Sequence, residues 1–455
     1  MGPAALSSRL QSMKRGIVFV MDAMTLSIIG IIVLIVMLFL GVNIGLGMLF
    51  VGFVGYLLAT TPTAAIGQLK LAPFTIASNY SFCVIPLFII MGNFAFASGI
   101  SDGLFNCGNK FLSRLPGGLA WTTIVVCALF GAICGSTAAT AATMGVLAIP
   151  AMRKYGYDDG LACGTISVGG TLGIMIPPST PFIVYGIMAE ESIGRLFAAG
   201  VFPGILLALL CCITITIRVK RNPSLAPDTN VKYPLKEKLA SLKGLIWFVV
   251  LFGIVLGGMF SGFFSINESA AVGAAAAIII TAIKRRLTWR VFIDTMKDSV
   301  KTAAMTYIIL IGADMFGKFL AITKLPMNLA NYIEGLDVSR YVILLFIVII
   351  YAIMGCLMDA LPMVTLTVPI FLPIVTGLGF DPIWFGVIIV LVIELGLITP
   401  PVGLNCYIIA GIAKDVPLSK IFKGSLPFVF PILIAIVLVT IFPQIATFLP
   451  TLFYG

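Results

Sequence analysis

The sequence predicts an all-α polytopic membrane protein built from two inverted-topology repeats, each with a re-entrant helical hairpin and a discontinuous transmembrane helix. Three observations carry this. First, the 455 residues are 60% hydrophobic and only 10% charged, with a mean hydropathy of +1.14, so nearly every stretch outside a few loops can sit in a bilayer. Second, landmarks recur at a constant offset of 223 residues: Pro150 and Pro373, Gly156-Tyr-Asp158 and Gly379-Phe-Asp381, Gly173 and Gly396, Pro177-Pro178 and Pro400-Pro401. Third, each proline pair interrupts an apolar run. Such a pair removes two N–H donors and pushes the preceding residue out of helical geometry. In hydrocarbon a break of this kind is tolerated only where it lines a cavity inside the protein.

The elements follow in order. Residues 1–22 form an N-terminal extension with Arg9, Lys14 and Arg15; an apolar run then leads almost directly into a second span, which argues against a cleaved signal peptide. The first repeat, 23–217, holds spans at about 26–40, 45–58 and 82–96, with a surface-lying helix over 61–79. Its hairpin, about 119–152, has a small, hydroxyl-rich middle from Gly131 to Gly145. That middle also suits a helix packing face, and the repeat favours the hairpin. The broken helix, about 161–188, and a span at about 196–217 complete this half.

A basic linker, 218–243, carries seven Lys or Arg against two acids and is expected to be cytoplasmic. The second repeat, 244–455, has spans at about 245–259 and 270–283, then a charged segment, 284–301, that reads as a surface helix. A span at 303–322, a hairpin at about 341–374, a broken helix at about 383–412 and a last span at about 426–448 finish it.

An odd number of crossings per repeat inverts the second half relative to the first. Loop charges agree: Glu190 and Glu191 follow the first broken helix, expected outside, and Lys414, Lys420 and Lys423 follow the second, expected inside. Inversion puts the N-terminus outside, whereas Arg9, Lys14 and Arg15 argue for the inside.

Composition excludes several function classes. The net charge of +10 lies between apolar runs and reads as a topology signal, not as a nucleic-acid surface. Histidine is absent, which removes imidazole catalysis and a Ser-His triad. The nine cysteines follow no disulfide or zinc spacing. Gly312 to Lys318 has phosphate-loop spacing, but Phe319 stands where Mg²⁺ needs a hydroxyl.

The chemistry concentrates where each hairpin tip faces a helix break. Exposed carbonyls there suit a hard cation such as Na⁺, and half-helix N-termini favour an anion such as a carboxylate. Candidate anion contacts are Ser136, Thr137, Ser179, Thr180 and Asn405. Candidate Na⁺ ligands form two sets: Gly135 and Ser136 with Gly170 and Gly173, and Asp359 with Gly396 and Thr399. Asp359 reads either as a functional intramembrane carboxylate or as a hairpin cap. Ser179 and Thr180 read as N-caps, as ligands, or as both. Glu394 raises the same question as Asp359, and Asp314 with Lys318 reads as a mutual ion pair.

An ordered set of motifs then resembles a known family. Ile85-Pro-Leu-Phe-Ile-Ile-Met-Gly92, the Gly135-Ser-Thr137 tip, Ile149-Pro-Ala-Met152, Ile176-Pro-Pro-Ser179, Leu196-Phe-Ala-Ala-Gly200, Met358-Asp359 and Thr399-Pro-Pro-Val-Gly403 are similar to the large membrane subunit of tripartite ATP-independent periplasmic (TRAP) transporters. The resemblance covers the chain from Met24. It implies an elevator-type, Na⁺-coupled importer of an organic acid in a bacterial inner membrane, with no other cofactor and no enzymatic activity. It also implies two partners, a small four-helix membrane subunit and a periplasmic substrate-binding protein. With only about 22 residues ahead of the first span, the small subunit is expected as a separate chain. An Asp common in the family's hairpin is replaced here by Thr140. Two rival readings stay open: a self-sufficient Na⁺- or H⁺-coupled organic anion carrier, and, more distantly, an intramembrane aspartyl protease using Asp158 and Asp381. The second is disfavoured because both acids occupy matched helix-start positions.

Overall fold

The computed structural model describes residues 22–227, 233–335 and 338–455; Arg9, Lys14, Arg15 and Lys232 lie outside the described residues. Every regular element among them is helical. The first half comprises α1 (Ala23–Phe39), α2 (Ile44–Ala59), α3 (Pro62–Ser78), α4 (Val84–Ala97), α5 (Ile100–Leu112), α6 (Gly118–Cys134), α7 (Thr137–Lys154), α8 (Asp159–Thr171), α9 (Thr180–Met188) and α10 (Ile193–Arg221). After α11 (Leu235–Ser241), α12 (Ile246–Phe252) runs through a π turn to Phe260. There follow α13 (Ile266–Ile283), α14 (Trp289–Ile322), α15 (Leu325–Glu334), α16 (Arg340–Gly355), α17 (Ala360–Gly377), α18 (Pro382–Ile398), α19 (Leu404–Ile412), α20 (Leu418–Ser425), α21 (Val429–Ile441) and α22 (Gln444–Tyr454). Among the described residues six helices are long and apolar enough to cross a membrane.

Several expectations are corrected. From Trp289 onward the surface segment expected over 284–301 and the following span are one continuous 34-residue helix, α14, because no Gly or Pro interrupts its first half. The last span stops at Ile441 and a new helix starts after Pro443, whose ring cannot continue the α21 ladder. The basic linker begins inside a helix, since α10 extends to Arg221. Helices α5 and α15 had no counterpart in the sequence reading; both are strongly amphipathic and too short for a span.

The chain divides into two compact units, each drawn from both halves of the sequence. One takes in the residues up to Asn79 with Ala304–Arg340 and Thr365–Gly379. Here α2 meets α14 backbone to backbone. A methyl group at Gly52 would fall 2.6 Å from the Phe316 nitrogen, and one at Gly312 only 2.1 Å from the Gly45 carbonyl oxygen. Small residues allow this approach where lipid supplies no hydrophobic drive for helices to associate.

The other unit takes in Tyr80–Ala303, Tyr341–Val364 and Phe380–Gly455. Its centre is formed by α8, buried from Gly160 to Thr171, and α18, buried from Ile383 to Ile398. A helix without a charged, solvated face belongs in an interior, and both lead directly into the predicted breaks. Helix α20 seats on α8 through glycines: a methyl at Gly164 would lie 2.3 Å from the Gly424 carbonyl carbon. Asp158 and Asp381 cap the starts of α8 and α18, accepting from Leu161 N at 3.0 Å and Trp384 N at 2.9 Å. This is the helix-start role their matched positions predict.

Candidate functional site at the helix breaks

The first hairpin turns in two residues. Gly135 has φ of +59°, a left-handed conformation that glycine adopts without a Cβ clash, and the Ser136 hydroxyl caps α7 by accepting from Ala139 N at 3.4 Å. Thr137, the first residue of α7, is buried. Opposite the tip, α8 ends at Thr171, a 3₁₀ turn covers Leu172–Ile174, and α9 resumes at Thr180. The Pro177-Pro178 and Pro400-Pro401 bonds are both cis.

Tip and break meet directly. The Thr180 hydroxyl donates to the Gly135 carbonyl at 3.1 Å. A methyl at Gly135 would lie 3.0 Å from the Pro178 oxygen, and one at Gly173 would lie 3.0 Å from the Thr140 hydroxyl and 3.5 Å from the Ser136 carbonyl oxygen. Gly135, Ser136, Gly173 and Thr180 therefore share one small volume. Gly170 sits one turn back, beside Ala141 and the Asn405 amide. Ser179 occupies the cap position of α9 but makes no capping bond. Its buried hydroxyl instead donates to Ile174 O at 2.5 Å, bracing the break from within.

In the second half, α18 ends at Ile398, the Thr399 hydroxyl donates back to Leu395 O, and α19 starts after Gly403. The residue that meets Gly396 is Gly355, at the end of α16: a methyl on Gly396 would fall 2.3 Å from the Gly355 carbonyl carbon. The described contact of the Asp359 carboxylate is local, accepting from Ala360 N at 2.7 Å. Asp359 thus sits at the start of α17, and Gly355 makes the close approach to the break. Gly131 and Gly173 form the corresponding contact in the first half, with a methyl on Gly131 falling 2.3 Å from the Gly173 Cα.

Asn405 joins the second break to α8. It is fully buried, and its amide nitrogen donates to Ser167 O at 3.0 Å. Among the described residues its Oδ1 and the Thr165 hydroxyl have no hydrogen-bond partner. Unused acceptors in an interior are costly unless something else satisfies them. Asp314 and Lys318 pair as expected at 2.7 Å, on α14. The Gly312–Lys318 run lies within that helix, so it has no phosphate-binding loop.

The loops at the N-terminal end of α8 carry an ionic lattice. Arg153 meets Asp159 and Asp415, each at 2.7 Å, and Lys420 meets Asp158 at 2.9 Å. Burial works to raise the Asp158 carboxyl, but the Lys420 ammonium and the Leu161 N–H outweigh it and hold it below the usual carboxylate range. The Arg153 guanidinium does the same for Asp415.

Comparison with known proteins agrees with this architecture and names the family. The family described as "Tripartite ATP-independent periplasmic transporter, DctM component" matches residues 31–445. The chain belongs to the DctM-component family of TRAP transporters. That is a family of transporter permease subunits and not of enzymes, and the chain is a multi-pass membrane protein. It is 34% identical over 389 residues to the C4-dicarboxylate TRAP transporter large permease DctM of Pseudomonas aeruginosa, covering 85% of this chain and 90% of that one. It is 32% identical over 427 residues to the sialic acid TRAP transporter large permease SiaM of Vibrio cholerae, covering 92% and 97%. It is also 36% identical over 378 residues to the isethionate TRAP transporter permease DctMQ of Oleidesulfovibrio alaskensis, covering 82% of this chain and 59% of that one. Among solved structures, the fold is similar to the YdaH transporter of Alcanivorax borkumensis, with a TM-score of 0.61, 14% identity and coverage of 84% and 88%. MtrF of Neisseria gonorrhoeae has a TM-score of 0.57, 17% identity and coverage of 83% for both chains.

Three features of the helix breaks in this TRAP permease escaped the sequence reading: the Thr180–Gly135 bond, the Gly355–Gly396 contact and the Ser167 carbonyl that holds Asn405. Only the second left a trace, since Gly131 and Gly355 sit at nearly the repeat offset.

Proposed function

We propose that this TRAP permease is the large subunit of a Na⁺-coupled importer in a bacterial inner membrane, taking a small organic acid from a periplasmic substrate-binding protein beside a small membrane subunit. The observation that carries the reading is the tip-to-break contact, Thr180 Oγ1 to Gly135 O at 3.1 Å, in a chain of this family. It brings main-chain carbonyls and hydroxyls to one point beside the N-termini of α7 and α9. Carbonyls of this kind suit Na⁺, and the helix starts suit a carboxylate. Ser136, Thr137, Ser179, Thr180 and Asn405 are assigned to substrate. Gly135, Ser136, Gly170 and Gly173 are assigned to one Na⁺, and Asp359, Gly396 and Thr399 to a second. The buried, unused Asn405 Oδ1 supports its place in that set. Inverted repeats and an elevator motion of the unit built on α8 and α18 complete the proposal. The relatives named for C4-dicarboxylate, sialic acid and isethionate support an organic anion as cargo.

Reconstitution in liposomes tests it. Uptake of the anion identified by screening the binding protein should require that protein, the small subunit and an inward Na⁺ gradient. Robust uptake by this chain alone would overturn the tripartite reading in favour of a self-sufficient carrier.

A further inference from the structure

One charged surface plays no part in the proposed transport site. At the turn between α13 and α14, Lys284, Arg285 and Arg286 are consecutive, and Arg290 is the second residue of α14. The turn is held in place. The Lys284 ammonium donates to Gly99 O at 3.0 Å and the Arg286 guanidinium meets Asp102 at 3.1 Å, both at the start of α5. Gly244 lies backbone to backbone on Gly103 of the same helix, a methyl there falling 3.0 Å from the Gly103 Cα. Lys243 is the residue before that contact.

Charge at this surface is unbalanced. Asp102 and Asp294 are the acids paired within it, against five cations. Among the described residues Lys243 and Arg285 have no acidic partner, and both are exposed. Arg285 has φ of +55°, a conformation uncommon for a side chain of its size. Burial and the neighbouring Arg286 charge hold the Lys284 ammonium below its ordinary range, as expected where cations repel one another. The surface is also apolar at its edge: Ile246, Ile283 and Trp289 are 52%, 56% and 78% exposed. A loop that only set topology would need the charges and not a turn pinned to α5 beside exposed apolar side chains. Cations beside an aromatic and aliphatic rim match a headgroup phosphate with its acyl chains.

We propose that Lys243, Lys284, Arg285, Arg286 and Arg290 form a binding site for an anionic phospholipid, seated where α5, α13 and α14 meet. Lys243, Arg285 and Arg290 contact the headgroup phosphate, and Ile246, Ile283 and Trp289 contact the chains. Lys284 and Arg286 hold the turn. The site is independent of the transport reading.

The test titrates the full-length chain, purified in neutral detergent, with dioctanoyl phosphatidylglycerol and follows Tm. The lipid should raise Tm saturably, and dioctanoyl phosphatidylcholine should not. A K243Q/R285Q/R290Q variant should need about tenfold more phosphatidylglycerol for half the effect, or more, since each basic side chain near an anionic surface contributes severalfold in affinity. R285Q alone should show a smaller shift in the same direction, which keeps the test decisive if the triple variant folds poorly. A K154Q/K414Q/K423Q variant, with equal charge loss elsewhere, should titrate like the parent. Equal response to both lipids, reproduction of the effect by inorganic phosphate, or equal losses in the two triple variants would each overturn the proposal.

Discussion

Gly396→Ala is the substitution for which the structure gives the sharpest expectation. The added methyl would lie 2.3, 2.5 and 2.7 Å from the Gly355 carbonyl carbon, Cα and oxygen. All three are backbone atoms, so no side-chain rotation relieves the overlap. Reaching an ordinary carbon–carbon contact requires the end of α16 to withdraw from α18 by about 1 Å. Overpacking of this kind costs about 1–3 kcal/mol. Gly411→Ala is the matched control, because a methyl there meets nothing within 4 Å, and alanine is the better helix former by about 1 kcal/mol. Scanning fluorimetry in detergent should therefore show a lower Tm for G396A and an unchanged or slightly higher Tm for G411A. In reconstituted complexes G396A should also need more Na⁺ for half-maximal uptake, since the proposed second Na⁺ position lies beside the displaced contact. If G396A matches G411A in both Tm and Na⁺ dependence, the close approach of Gly355 to Gly396 is not a feature of the folded protein.

Three further predictions concern neighbouring groups. Thr180→Val removes the hydroxyl that donates to Gly135 O, and should cost about 1 kcal/mol of stability while raising the Na⁺ requirement of uptake; thermal unfolding and Na⁺ titration of transport check both. Asp359→Asn should raise the Na⁺ concentration for half-maximal uptake if the ionised carboxylate helps hold the second cation. An unchanged curve would leave it as a helix-start group, consistent with its bond to Ala360 N. The ionic lattice predicts a pH dependence: Asp158 and Asp415 are held below their ordinary values in the folded protein. Their contribution is therefore complete above the ordinary carboxylate pKa of about 4 and is lost as pH falls through the lower folded values. Lys420→Met should shrink the acid-side fall in Tm, and an identical acid limb in both proteins would refute the assignment for Asp158.

Much of this molecule is written locally. Apolar runs mark helices, because in hydrocarbon a backbone must satisfy its own hydrogen bonds. The breaks were legible for the same reason, since Pro177-Pro178 and Pro400-Pro401 remove donors at known positions. The caps at Asp158 and Asp381 depend on three residues of chain, and the sequence placed them correctly. Where helices end was harder to read: 284–301 is mixed in charge, yet nothing in it stops α14 from running from Trp289 to Ile322. Contacts between distant segments were legible only as a hairpin tip facing a helix break, not residue by residue. That Thr180 reaches Gly135, that Gly355 meets Gly396, and that Asn405 is held by Ser167 depend on how α6, α16 and α19 pack against α8 and α18. Such packing is set by backbone proximity through glycines, and a glycine in a sequence does not state which helix fills the space it leaves.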